Sequence, residues 1–519
     1  MPAKQNKGSV IIIGTGINGL VAANYLQRGG HQVILLERKP QVGGACTSAT
    51  TRYRGATITY PPGASVLGMM QKFVFKETGL SEELTIASAK CPEVVYFADD
   101  SLPFVFSDNE EKLVEQASER WGENGRLVDF LEDLERVAAF LRIGYRGGRP
   151  PTLQEAEKTL GSQLTARWIA GTARKLLDHY LTSERMKLFF AISITESGPV
   201  SLDAPYSAFT LPLMASGGVF DGKWGYVKGG IWNITRTLDR INRRLGVRTV
   251  TSARVTGVSA AKRTVRFSKD AKMRELHADK IIFATDPLSA ARLMHDRALI
   301  ARVLAQDLQG TSGKLVMIFN RPVRWKDDDG QKDFHAALRF IVLTTTIEDF
   351  ERSSQAPRNG VDFSPSFLEI YCEGPAMEMM GVRARFHIVS VFFKDLGFNK
   401  RAAGLRHVRE QVANWVCERI ENRSDLVKTI LLTPRDIADK FYFPMGNIDH
   451  IVLTGGQTFF SRTYAPHPAR SFYQFGPNEN IFYCGSGTYP CGSVAGTPGY
   501  MCARQILRGD ERPPKVLID

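Results

Sequence analysis

The stretch VIIIGTGINGLVAANYLQRGGHQVILLERKPQVGG, residues 10–44, decides the fold. Val10–Ile13 is a short apolar, β-branched run, the composition of a strand buried on both faces of a parallel sheet. It leads straight into Gly14-Thr-Gly16-Ile-Asn-Gly19. Gly14 permits a tight turn, Gly16 lets a pyrophosphate approach the backbone, and Gly19 lets the following helix pack close to the strand. The spacing predicts that helix over about residues 18–29, with Leu20, Ala23 and Leu26 on one face and Gly29-Gly30 at its end. Ile17 and Asn18 lie at its start, where free N–H groups and the positive end of the helix dipole favour phosphate. A second strand, Gln32–Leu36, delivers Glu37, able to accept both hydroxyls of an adenine ribose, with Arg38 next to it. The unit implies an adenine dinucleotide and leaves NAD and FAD open, because the two share the adenosine half.

At 519 residues the chain exceeds one simple core, and two to four domains are expected. No window approaches the roughly 18 apolar residues needed to span a bilayer. The N-terminus MPAKQNKGS runs directly into the first strand, so no secretory signal fits. Seven cysteines (46, 91, 372, 417, 484, 491 and 502), scattered and odd in number, favour a reducing, cytoplasmic setting over a disulfide framework. The net charge of +13 is spread without a tight Lys/Arg run or a nucleic-acid motif. That argues against a nucleic-acid partner and leaves a solvated basic surface or peripheral contact with an anionic membrane. Oligomeric state is not legible.

Along the chain, Tyr60-Pro-Pro-Gly63-Ala-Ser65 reads as a loop, residues 110–195 as charged and helix-patterned, and 224–290 as a return to α/β. Strands are expected near 248–258, 263–267, 280–284, 313–319, 338–345, 366–372, 385–393 and 481–484, with helices at 399–423, 434–441 and 498–507. The aromatic-rich stretch Trp168–Phe190 reads as a helix packed in the core, ahead of a tunnel lining or a membrane-dipping face. The expected class is α/β (α+β overall). A discontinuous nucleotide domain comes from 1–85, 224–290 and 476–519. A mixed sheet-plus-helix substrate domain comes from 86–223 and 291–475.

Two further glycine clusters narrow the chemistry. Pro40-Gln-Val-Gly43-Gly44-Ala45-Cys46 follows the ribose-binding acid, as fits a long dinucleotide lying along the chain. Cys484-Gly485-Ser-Gly487 through Gly496-Thr-Pro498-Gly499 again reads as strand, glycine-rich loop and helix start. A helix dipole aimed at a flavin near N1 and the C2 carbonyl would stabilise its reduced, negatively charged form.

The combination of GTGINGLVAANYL…LLERKPQVGGA, WGYVKGGIWNITRTL, ATDP (284–287), TPRDIADKFYFPMGNIDH (433–450) and FYCGSGTYPCGSVAGTPGYMCARQIL resembles the phytoene-desaturase-like flavoprotein oxidoreductases. It is similar to the branch labelled phytoene-dehydrogenase-related or pyridine-nucleotide-disulfide-oxidoreductase-domain-containing, over essentially the whole chain. The resemblance implies non-covalent FAD in a glutathione-reductase-type Rossmann domain and oxidation or isomerisation of lipophilic polyenes and related substrates. It places Gly14, Gly16 and Gly19 at the pyrophosphate and Glu37 at the ribose. Gly43, Gly44 and Ala45 fall along the ribityl and flavin side. Val255, in a strand expected over Thr251–Thr256, falls at the adenine, and Gly485, Val494 and Gly496 along the flavin. One departure stands out: the family's His-Pro-Gly-Gly-Gly is Tyr489-Pro490-Cys491-Gly492-Ser493 here, which puts two side chains where the family has none.

Disulfide reductases of this fold need a Cys-x4-Cys pair, but Thr51 stands at the position that would partner Cys46. With no second GxGxxG in a strand–helix setting, the electrons are expected to leave to O2, a quinone or another diffusible acceptor. The nine histidines show no ligand spacing, so no metal site is expected. The expected reaction is hydride removal from a small lipophilic, isoprenoid-like or alicyclic substrate, forming a C=C bond; no catalytic side chain is identified. The alternatives are an amine or amino-acid oxidase, marked by an aromatic cage plus an acid or Arg in the second domain, a redox-neutral polyene isomerase, and a non-catalytic FAD-binding protein.

Overall fold

The protein is described here from a computed structural model. It covers residues 7–88, 93–100, 102–106, 109–326, 334, 337–359, 363–399, 404–454, 457–459 and 461–509; Cys91 lies outside the described residues. Val10–Ile13 are buried at the centre of a five-stranded parallel sheet. Ser9–Ile13 pairs with Gln32–Leu36 on one side and Lys280–Phe283 on the other. Arg248–Val250 and Ile481–Tyr483 form the two edges. The strands therefore come from three distant parts of the chain, and fifteen of their twenty residues are apolar, as burial of both faces favours. The helix Ile17–Arg28 packs Leu20, Val21, Ala23 and Leu26 inward, against Trp232–Arg244 and Thr497–Gly509.

The strand expected over Thr251–Thr256 is not continuous. Arg248–Val250 ends at Ser252, whose φ is 53° and whose N–H donates to the Lys39 carbonyl. That turn lifts the chain off the parallel sheet. It resumes as Arg254–Ser259, the first strand of a three-stranded antiparallel sheet with Thr264–Lys269 and Lys272–His277.

A seven-stranded sheet faces this unit, in the order Leu426–Leu432, Gly313–Phe319, His387–Phe393, Phe367–Cys372, Arg339–Leu343, Glu93–Phe97, Phe104–Phe106. Three of these strands, Glu93–Phe97, Phe104–Phe106 and Leu426–Leu432, are absent from the sequence reading. The helix expected over 399–423 shortens to Arg406–Cys417, with residues 400–403 outside the described residues. The aromatic stretch 168–190 is three helical pieces, not one: Thr165–Ala170, Ala173–Tyr180 and Glu184–Ala191. Thr172 breaks it by accepting a hydrogen bond from the Lys175 N–H as an N-cap. Trp168, Leu176, Leu177 and Tyr180 are buried in a core that runs on into the parallel sheet. Among the described residues, no helix is long and apolar enough to cross a membrane.

Candidate functional site

A cavity of about 490 Å³ opens at the carboxyl ends of the parallel strands and runs to the seven-stranded sheet, where open α/β sheets bind ligands. Its near end is the glycine-rich turn. Gly14 has φ +105°, and a Cβ there would lie 2.9 Å from the Ala284 carbonyl oxygen. At Gly16 an added Cβ would meet no atom within 4 Å; at Gly44 it would face the Gly16 Cα at 3.1 Å. Gly44 thus packs directly against Gly16, whose own free side is open. No side chain caps the helix that starts at Ile17, leaving its first N–H groups for a ligand. The Asn18 Oδ1 is buried without a hydrogen-bond partner.

Glu37 is more constrained than its sequence position suggests. Its Oε2 accepts from the Thr15 N–H (3.1 Å) and Oγ1 (2.6 Å), and its Oε1 accepts from the Lys39 N–H (2.9 Å). A carboxylate offers about four lone-pair sites, so the fold uses three of them and leaves about one for an incoming donor. The Arg38 guanidinium stacks 3.5 Å from the centroid of the Tyr442 ring.

Of the residues expected to touch the dinucleotide, Gly14, Gly16, Ile17, Asn18, Glu37, Arg38, Gly43, Gly44, Ala45, Val255 and Val494 line this one cavity. Gly19, Gly485 and Gly496 do not; they lie behind its wall. A Cβ on them would come within 2.3 Å of the Gly14 oxygen, 2.1 Å of the Thr285 oxygen and 2.9 Å of Val21 Cγ2, respectively. In the Tyr489–Ser493 segment, Cys491 is turned into the hydrophobic core and Ser493 faces the cavity. Cys46 also lines the cavity, and burial pushes its thiol up to about 12, which leaves it a poor nucleophile.

The far end holds Trp224, the first residue of WGYVKGG, beside residues that no sequence motif announced: Tyr371, Phe392, Glu196, Lys314 and Glu369. Lys314 Nζ donates to the Gly63 carbonyl (2.7 Å) and Ser65 Oγ (2.6 Å), tying the Pro61–Ser65 loop to the big sheet. Burial lowers its ammonium to about 8, opposed by nearby Glu373. Glu369 accepts from the Arg339 guanidinium and from the Tyr371 hydroxyl (3.1 Å), and Arg339 also pairs with Glu93 at 2.8 Å. Burial raises the Glu196 carboxyl to about 7, with Lys394 opposing the shift. His450 lines the cavity with both ring nitrogens buried and unpartnered. Burial, reinforced by the Arg462 charge, pulls it down to about 3, so it is a neutral imidazole.

Residues 17–382 match the family of flavin containing amine oxidoreductases. The chain belongs to this family. It is an FAD-dependent oxidoreductase, and the open Gly16 backbone and the uncapped helix suit the pyrophosphate of an extended dinucleotide. Pyridine nucleotide-disulfide oxidoreductase domain-containing protein 2 of Mus musculus is 24% identical to the chain, over 96% of this chain and 93% of its own length. A 4,4'-diapophytoene desaturase (4,4'-diaponeurosporene-forming) of Staphylococcus aureus strain COL is 26% identical, over 96% and 97%. Among solved structures, cyclohexylamine oxidase from Brevibacterium oxydans IH-35A superposes with a TM-score of 0.57 at 14% identity, covering 97% of this chain and 98% of that one. Putrescine oxidase bound to putrescine gives 0.57 at 13%, covering 97% and 99%. Likeness at that identity carries the fold alone, a mixed helix-and-sheet flavoprotein architecture.

Proposed function

We propose that this flavoprotein dehydrogenates a small, largely apolar substrate, forming a C=C bond, with the reacting carbon held between the glycine-lined cradle and the wall of Trp224, Tyr371 and Phe392. The observation that carries the reading is the continuity of one cavity from Glu37 and Gly16 to that aromatic wall. The end-to-end relationship to a diapophytoene desaturase adds to it.

In this reading Gly14, Gly16, Ile17 and Asn18 face the pyrophosphate, Glu37 the ribose, and Arg38 and Val255 the adenosine end. Gly43, Gly44, Ala45 and Val494 run along the flavin side. Gly19, Gly485 and Gly496 serve by allowing close packing behind the wall. Segments 1–85, 224–290 and 476–519 form the cofactor domain, and 86–223 with 291–475 the substrate domain. Bound oxidised FAD supplies a hydride acceptor. The protein's share is to orient the C–H bond, exclude water and manage the accompanying proton. O2, a quinone or another diffusible acceptor would carry the electrons away.

One observation favours a second reading, oxidation of a C–N bond: the carboxyl groups of Glu196 and Glu369 share the wall with the three aromatic residues. Anaerobic mixing of the yellow protein with polyenes, alicyclic acids and amines separates the two. Bleaching of the flavin band by polyenes or alicyclic acids supports desaturation, and bleaching by amines alone supports the second. No bleaching by any class, with no reoxidation of the dithionite-reduced protein by quinone or O2, sinks both.

A further inference from the structure

Four carboxylic side chains line the cavity: Glu37, Glu196, Asp286 and Glu369. Three are engaged. Glu37 is held by Thr15 and Lys39, Asp286 caps a helix by accepting from the Ser289 N–H (2.8 Å), and Glu369 is held by Arg339 and Tyr371. Among the described residues, the carboxyl group of Glu196 takes part in no hydrogen bond or ion pair, although the residue is only 6% exposed.

Its backbone is pinned, so the free carboxyl is not a loose one. Lys394 Nζ donates to the Glu196 carbonyl oxygen and to Ser312 Oγ (2.8 Å). The adjoining Ser197 is held twice: its carbonyl accepts from Asn447 Nδ2 (2.8 Å) and its Oγ from the Leu453 N–H (2.7 Å). The charges facing the carboxyl are Lys394 at the end of one strand, Glu369 and Arg339 in the neighbouring strands, and Asp449 in the loop after Pro444–Gly446. Asp449 Oδ1 in turn accepts from the Gly492 N–H (2.7 Å), next to the cavity-facing Ser493. Glu196 therefore sits within electrostatic reach of the carboxy-terminal loop of the cofactor cradle.

We propose that Glu196 is the proton acceptor of the reaction, an assignment that rests on the dehydrogenation proposed above. Two hydrogens leave the substrate. One departs from its carbon with both bonding electrons, to the oxidised flavin. The other departs from the adjacent carbon as a proton to a carboxylate oxygen of Glu196, and the electron pair of that C–H bond becomes the second bond of C=C. Burial, Glu369 and Asp449 favour the protonated acid that the transfer forms, while Lys394 and Arg339 favour the carboxylate that must accept. A buried carboxyl held near neutrality suits a group that must take a proton and give it back in each turnover.

Glu196→Gln and Glu196→Asp test this. With a donor that bleaches the wild type, E196Q should reduce its flavin about 10²-fold or more slowly and lose the pH-dependent limb of the rate. E196D should keep the limb at a reduced rate. Flavin content should match the wild type in both. A readout independent of turnover is the infrared spectrum of the holoprotein. A protonated-carboxyl band should grow as the pH is lowered through neutrality in the wild type and be missing from E196Q. Reduction of E196Q at the wild-type rate and pH profile, or persistence of that band in E196Q, overturns the assignment and leaves the dehydrogenase reading intact. A wild type that no donor class bleaches brings down both. If E196Q binds no flavin, loss of the pH limb in E196D, or absence of the band from the wild type, is the refuting result.

Discussion

Replacing His450 by leucine should make the protein less sensitive to acid. Both ring nitrogens of His450 are buried without a partner, and the imidazole is held neutral down to about 3 against an ordinary 6.5. Between those values the unfolded chain binds a proton on this ring and the folded chain does not. The contribution to stability is therefore whole above about pH 6.5 and is lost as the pH falls toward 3. Each tenfold difference in proton affinity is worth about 1.4 kcal/mol. At about pH 5 the wild type has then lost roughly 2 kcal/mol through this residue, and near pH 3 about 4 kcal/mol. H450L removes the titrating group and the two unpaired polar atoms, so at about pH 7.5 it should be at least as stable as the wild type. Urea unfolding at about pH 7.5 and pH 5, with FAD at a fixed excess, measures the difference directly. Equal acid losses in the two proteins would refute the claim that the folded state keeps this imidazole neutral.

The turn glycines should separate into two classes. Gly19→Ala pushes a methyl to 2.3 Å from the Gly14 oxygen and 2.9 Å from Ala284 Cβ, and should cost about 1–3 kcal/mol in thermal or urea unfolding. Gly16→Ala meets no protein atom within 4 Å, so the flavin-free protein should melt as the wild type does while purifying with less FAD; full flavin occupancy would argue against a pyrophosphate at Gly16. Glu37→Ala strands the buried Thr15 N–H and the Lys39 N–H and should lose about 1–3 kcal/mol even without FAD, with Glu37→Gln between it and the wild type; thermal midpoints with and without FAD check both.

The strand–turn–helix–strand unit over residues 9–36 was legible because burial on both faces forces an apolar run, and a close-packed turn forces glycine at fixed spacing. The same rules picked out Gly43–Gly44 and the Gly485–Gly499 loop. The far wall obeys no such local rule. Glu369 lies within FLEIYC and is tolerated there because Arg339, thirty positions earlier, neutralises it across a neighbouring strand pair. Glu93 opens the otherwise apolar, fully buried strand EVVYF, and the same arginine accounts for it. A signal did exist at Lys314: one cation near the start of the otherwise apolar strand GKLVMIF, all seven residues of which are buried. A lone lysine in such a run demands a partner. The sequence cannot say that the partner is the Gly63 carbonyl. Gly14, Gly16, Gly19 and Gly485 look alike to a motif, yet only beside Gly16 is the space open; the other three make room for a neighbouring main chain, and only a three-dimensional view separates the two kinds.

The edge strand Ile481–Tyr483, which pairs with Lys280–Phe283, also sets a timetable for synthesis. Roughly 200 residues separate the two, which at about 5–20 residues per second is on the order of 10–40 s on the ribosome. During that interval the parallel sheet has an open, apolar edge with unpaired main-chain groups, the arrangement most prone to capture by another chain. Yield of folded flavoprotein should therefore respond more to translation rate and to chaperones that shield nascent chains than to any single contact in the finished molecule.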